Sequence, residues 1–158
     1  MKPIDPAKRR PATYRTEPIA HVGQIIAIAS GKGGVGKSTV SVCLAHALHA
    51  AGQYVGIVDA DIHGPSIPRM LGIQHAGQPE VKDNQLLPII GHHIKSLSMG
   101  NLAGDQAAIW RAPMVTKALT QMLRHACWGA ANAPLDTLLI DLAPGTGDIQ
   151  LTLAQQVP

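Results

Sequence analysis

The sequence predicts an α/β fold: a mostly parallel sheet with flanking helices, incomplete within these 158 residues. Three observations lead there. Apolar runs without polar alternation recur at residues 24–29, 54–58 and 137–142, as in strands buried on both faces. Each run ends at a glycine-rich loop, an acidic residue or both. A helix-periodic stretch separates the first run from the second, which makes a βαβ unit.

Hydrophobic residues are 46% of the chain and charged residues 15%, a balance that favours a packed core over disorder. Aromatics are only 3%, with no Phe, so the core must rest on Ile, Leu, Val, Ala and Met.

Residues 1–21 are rich in proline and charge and are expected to form a disordered basic tail ahead of a domain over residues 22–158. The tail holds Lys2, Lys8, Arg9, Arg10 and Arg15 against Asp5 and Glu17, which is the entire net charge of +3. The remainder carries eight basic and eight acidic residues, so no nucleic-acid face is indicated. No apolar run approaches the roughly 18 residues of a membrane helix. The N-terminus has no signal-peptide core, and Cys43 and Cys127 suggest no disulfide framework. A cytoplasmic protein with no membrane partner is expected.

In chain order, residues 24–29 read as the first strand. Residues 38–51 read as a helix with Val40, Leu44, Ala47, Leu48 and Ala51 on one face and Gly52 as its stop. Residues 54–58 form the second strand. Residues 64–79, with three prolines and three glycines among them, are expected to be irregular. Residues 81–90 suit a hairpin turning at Asp83-Asn84, and 93–99 another strand. Residues 113–126 read as a helix with Pro113 in its first turn. Residues 137–142 are a further buried strand, and 149–156 begin a last helix. Acidic residues and glycine loops thus gather at the C-terminal ends of strands, where open α/β sheets bind ligands.

The strongest motif is Gly31-Lys32-Gly33-Gly34-Val35-Gly36-Lys37-Ser38, which fits Gly-x-x-x-x-Gly-Lys-Ser/Thr between a strand and a helix. Glycines let backbone N–H groups turn inward around phosphate oxygens, and the helix N-terminus adds its positive end. Lys37 is expected to reach the β- and γ-phosphates and the Ser38 hydroxyl to ligate Mg²⁺, with Thr39 completing the ATP-binding segment. Two carboxylates, Asp59 and Asp61, follow the second strand and suit a Mg²⁺ shell and water orientation. Asp141, at the end of the 137–142 strand, reads as a Walker B carboxylate holding Mg²⁺ through water. Gly145 and Gly147 leave its loop free to respond to the γ-phosphate.

These segments, with Trp110-Arg111-Ala112-Pro113-Met114-Val115, resemble the Mrp family of P-loop ATPases, iron–sulfur carriers related to nitrogenase iron protein and the partition ATPases. Lys32 marks the deviant Walker A group. Asp59-x-Asp61-x-x-Gly64-Pro65-Ser66 and Asp141-x-x-Pro144-Gly145-Thr146-Gly147-Asp148 are the family's more specific signatures. The resemblance implies a P-loop NTPase fold with the strand before the loop central, a homodimer around ATP and Mg²⁺, and slow ATP hydrolysis. It also implies transfer of a [4Fe–4S] cluster to apo iron–sulfur proteins. Lys32, Lys37 and Asp61 are the implied catalytic residues, Lys32 acting across the dimer like an arginine finger.

Ala112 and Ala143 stand where the family usually has glycine and proline. The cluster-ligating Cys-x-x-Cys has no counterpart here, so a partial member is expected, without a cluster, with weakened nucleotide binding and with an open apolar strand edge. Cys43 is expected to pack in the core. His46, His49, His92 and His93 read as ordinary histidines, the last two on opposite faces of a strand. The alternatives are a partition or positioning ATPase and a non-functional fragment. Neither a basic face nor a membrane-targeting helix favours the former.

Overall fold

The computed structural model describes residues 17–62, 64–104 and 109–145. Strand β1 (Val22–Ile28) runs into the glycine loop, helix α1 (Lys37–Ala50) follows, and β2 (Val55–Asp59) returns parallel. Then come α2 (Ile67–Met70), β3 (Val81–Lys82), β4 (Gln85–Leu86), β5 (Ile89–Gly91), β6 (Ile94–Ser98), α3 (Met99–Ala103), α4 (Ala112–Arg124) and β7 (Leu135–Asp141). The main sheet has the order β1-β7-β2-β6-β5. The first four of these strands run parallel, and only β5 runs antiparallel to its neighbour. The mostly parallel sheet is therefore the observed one.

Helices cover both faces. Val42 and Ala45 of α1 pack with Ile67 and Leu71 over Ile57, Ile94 and Leu139. On the other face, Val115, Leu119, Met122 and Leu123 of α4 pack with Trp128 over Val58, Leu97, Leu138 and Ile140. Strand β2 is buried at all five residues, as the uninterrupted Val-Gly-Ile-Val run requires. Ile19, placed in the tail by sequence, is 5% exposed and belongs to the second core. The ordered chain thus reaches back past residue 22.

The register sets the strand tips level. Ile28 and Asp59 both lie opposite Asp141, and Asp59 lies opposite Ser98. One edge of the sheet therefore collects the end of β1, two carboxylates and a serine. Among the described residues β1 pairs only with β7 and none of its residues is buried, so it is an edge strand: this is the open apolar edge expected of a partial member, and not the strand covered on both faces that the apolar run suggested.

Several local expectations change. The buried residues of α1 are Ser41, Val42 and Ala45, whereas Val40 is 58% exposed. Leu44 and Leu48 of the expected face do pack, partly buried, against the core beneath α1, so the buried stripe is shifted and not replaced. Cys43 points outward and is exposed, so it does not pack in the core. The 64–79 stretch contains α2, opened by a proline in its first turn.

Asp83-Asn84 does form a turn, with φ of 49° and 62°, but it joins only β3 to β4. A second turn at His92-His93, with φ of 49° and 67°, joins β5 to β6. These histidines are therefore in a turn and not in a strand. Their rings meet the helix: His92 lies edge-on to His46 at 6.1 Å, and His93 stacks on His49 at 5.4 Å. The helix expected at 149–156, His63 and residues 1–16 of the tail lie outside the described residues.

Candidate nucleotide site

The site begins with the turn after β1. Gly34 and Gly36 adopt φ of 73° and 93°, in the left-handed region that other residues avoid. Gly36 caps α1, so the loop delivers its backbone directly to the helix start. No acidic side chain occupies the first turn of α1. Its unsatisfied N–H groups and positive dipole end are left for an anion.

A cleft of about 410 Å³ opens above this turn. Its walls include Lys32, Gly33, Gly34, Gly36, Lys37, Ser38 and Thr39 from the loop and helix. Asp61, Gly64 and Ser66 face it from the segment after β2, and Pro144 from the segment after β7. Gly31 and Val35 belong to the turn without lining the cleft, and Val35 is 61% exposed.

Behind the cleft, Asp141 gathers the loop's chemistry. Lys37 Nζ donates to Asp141 Oδ2 at 2.6 Å, and Ser38 Oγ donates to the same oxygen at 2.6 Å. Ser41 Oγ donates to Oδ1 at 2.6 Å. The carboxylate is fully buried and the Lys37 side chain nearly so, so the pair is held in low dielectric. A buried charge of this kind needs its partners, and all three are supplied by one helix turn.

Asp59 is enclosed beside it. Its Oδ1 accepts from the Asp61 N–H at 3.1 Å and its Oδ2 from Ser98 Oγ at 3.2 Å. Burial, reinforced by the charges of Asp141 and Asp61, pushes its pKa up to about 7. The two hydrogen bonds pull the other way without prevailing. Asp61 lies forward of it, on the cleft wall, where its Oδ1 accepts from the Gly64 N–H at 3.1 Å.

Ser38, Asp59, Asp61 and Asp141 offer only hard oxygen donors, which suit Mg²⁺ and not a soft metal. Among the described residues no three acidic, histidine or cysteine side chains form a ready metal cage.

The residues expected from sequence therefore meet. Lys32, Lys37, Ser38, Thr39 and Asp61 share the cleft, with Asp141 bonded to Lys37 behind it and Asp59, equally buried, on the neighbouring strand. Two contributors were missed. Ser41 carries a signal, since it lies one helical turn beyond Ser38 and shares its face. Ser98 ends β6 at the same sheet edge as the two aspartates, and strand-end position alone pointed to it.

No helix among the described residues is long and apolar enough to cross a membrane. Residues 21–158 match the family model described as ParA: NUBPL iron-transfer P-loop NTPase. An iron–sulfur cluster carrier protein of Haemophilus influenzae is 55% identical over 139 residues. That match takes in 87% of this chain but 36% of the relative. The carrier of Helicobacter pylori is 44% identical over 158 residues, 99% of this chain and 41% of the relative. The chain thus spans well under half the length of these relatives.

Among solved structures, a nucleotide-binding protein of Archaeoglobus fulgidus in complex with ADP, in which cobalt was found, is 40% identical with a TM-score of 0.70. The match covers 85% of this chain and 50% of that one. The septum site-determining protein MinD of Pyrococcus horikoshii with Mg-ADP, at 22% identity and a TM-score of 0.53, shares the fold alone. Motif, sheet topology and family match agree, and the chain belongs to the NUBPL iron-transfer family of P-loop NTPases.

Proposed function

We propose that this chain binds ATP with Mg²⁺, hydrolyses it slowly, and supplies the nucleotide-handling part of an iron–sulfur cluster carrier. The observation that carries the reading is the meeting of Lys37, Ser38 and Asp141 on one carboxylate oxygen at the mouth of a glycine turn. In the proposed complex, loop N–H groups hold the phosphates and Lys37 leaves Asp141 for the β- and γ-phosphates. Ser38 ligates Mg²⁺, and Asp141 and Asp59 hold its water shell. When bound there, Mg²⁺ would supply charge neutralisation at the phosphoryl group. Asp61, on the cleft wall, orients the attacking water. Lys32, exposed on the loop, reaches the nucleotide of a second copy across a homodimer.

The carrier half of the proposal is supported by the names of the relatives, which are iron–sulfur cluster carrier proteins. The [4Fe–4S] cluster is cargo, passed to apo iron–sulfur proteins in a cytoplasmic setting. Cys43 lies on α1 and Cys127 beyond α4, in layers on opposite faces of the sheet. The two thiols do not form a pair, so cluster ligation is not assigned to them.

Calorimetry with Mg²⁺ and ATP tests the nucleotide half. Lys37→Ala is expected to abolish binding, and unchanged affinity would overturn the site. Anaerobic reconstitution of the 158-residue form with iron and sulfide tests the cargo half. No stable cluster is expected, and four irons per dimer would refute that.

A further inference from the structure

We infer that Ser41 is a positioning residue for Asp141, fixing the carboxylate that manages Mg²⁺. The inference rests on reading the glycine turn as a Mg²⁺–nucleotide site. Three groups hold the Asp141 carboxylate, but they differ in what they do next. Lys37 and Ser38 both sit on Oδ2, and both are cleft residues with duties toward phosphate and metal. Once they turn to those duties, the Oδ2 side is released. Ser41 sits on the other oxygen, Oδ1, and does not line the cleft. It is the one of the three whose bond survives nucleotide binding.

The ordinary explanation of a helical serine is a bond back to the carbonyl four residues earlier, and Ser41 has that option. Its Oγ lies 3.2 Å from Lys37 O. The carboxylate at 2.6 Å is the shorter and charge-assisted partner, so the single hydroxyl proton goes to Asp141. Ser41 is fully buried, so water cannot replace it. It holds the carboxylate oxygen that Lys37 and Ser38 do not touch, and it stands outside the cleft lining. It therefore aims Oδ2 at the cleft without competing for the ligand. Groups that orient a metal-holding carboxylate in this way typically carry about 10- to 100-fold of metal affinity.

The test is ADP binding by calorimetry in the full chain, with Mg²⁺ and separately with EDTA, for wild type, Ser41→Ala and Ser41→Thr. Threonine keeps the hydroxyl and alanine removes it. Wild type is expected to bind ADP more tightly with Mg²⁺. In Ser41→Ala the ratio of Mg²⁺ to EDTA affinity is expected to fall about tenfold or more, with EDTA affinity unchanged. Ser41→Thr is expected to keep the wild-type ratio. A merely structural serine would lower both affinities together or neither, and either result overturns the inference. A Ser41→Ala variant that does not fold leaves Ser41→Cys as the second probe, which keeps the volume and gives up the strong donor. An unchanged ratio there also overturns the inference. If wild type itself shows no ADP binding or no Mg²⁺ effect, the nucleotide reading fails, and the role of Ser41 falls with it.

Discussion

Asp59→Asn should remove the pH dependence that Asp59 builds into folding. The carboxyl has an ordinary pKa of 3.8 and a folded value pushed up to about 7, chiefly by burial. The folded state therefore binds this proton more tightly than the unfolded state. Stability contributed by the group is greatest in acid and is lost as pH rises from about 4 to about 7, after which it is flat. A rise of about three pH units, at about 1.4 kcal/mol per unit, gives roughly 4 kcal/mol over the whole window. The asparagine of the variant fills the same volume and has no proton to release. Ser98 Oγ, which accepts from Gly100 N–H at 3.1 Å, has a second lone pair for the new amide.

The assay is urea denaturation in EDTA-containing buffer at several pH values from about 5 to about 8. Histidines titrate in this range too, but they are common to both proteins and cancel in the difference. Wild type should lose on the order of 3 kcal/mol relative to Asp59→Asn across that range. Parallel stability curves would show that Asp59 is ionised at neutral pH and that its enclosure is relieved by water.

Three other outcomes are expected. Gly91→Ala drives a methyl into the Leu71 carbonyl and to 2.8 Å from Ile73, so thermal unfolding should show a loss of about 1–3 kcal/mol or more. Trp128→Phe removes the buried indole donor that meets Met122 O at 2.8 Å. It should cost about 1–3 kcal/mol by denaturant titration, because the carbonyl at the end of α4 is left unpartnered. Lys32→Ala should leave ATP binding by calorimetry near wild type while lowering ATP turnover in a phosphate-release assay by about 10³-fold or more. Equal turnover would remove Lys32 from catalysis.

The parts of the site carried by local pattern were legible in the sequence. Glycine spacing located the turn, and acidic residues after apolar runs located Asp59, Asp61 and Asp141. What the sequence could not supply was neighbourhood. Nothing in the pattern says that β7 inserts between β1 and β2, yet that insertion is what sets Asp141 level with both Ile28 and Asp59. The buried face of α1 is hidden in the sequence because large apolar residues such as Val40 dominate its pattern. The true contact centres on Ser41, Val42 and Ala45, with Leu44 and Leu48 packed beside them and Val40 turned to solvent. The His92-His93 turn escapes the sequence because its left-handed φ values are ordinarily announced by Asn or Gly. Here they fall on two residues that carry no such signal.

The ion pair between Lys37 and Asp141 makes the phosphate turn its own rival. A triphosphate arriving at the loop does not meet a spare ammonium but one already spoken for by a buried acid 2.6 Å away. Measured affinity is then the intrinsic affinity scaled by the fraction of molecules in which the lysine has let go. Small anions, unable to bring a divalent cation to console the abandoned carboxylate, gain little from prying the pair apart. On the proposed function, the same contact that holds the helix to the strand would favour ligands that arrive with their own metal.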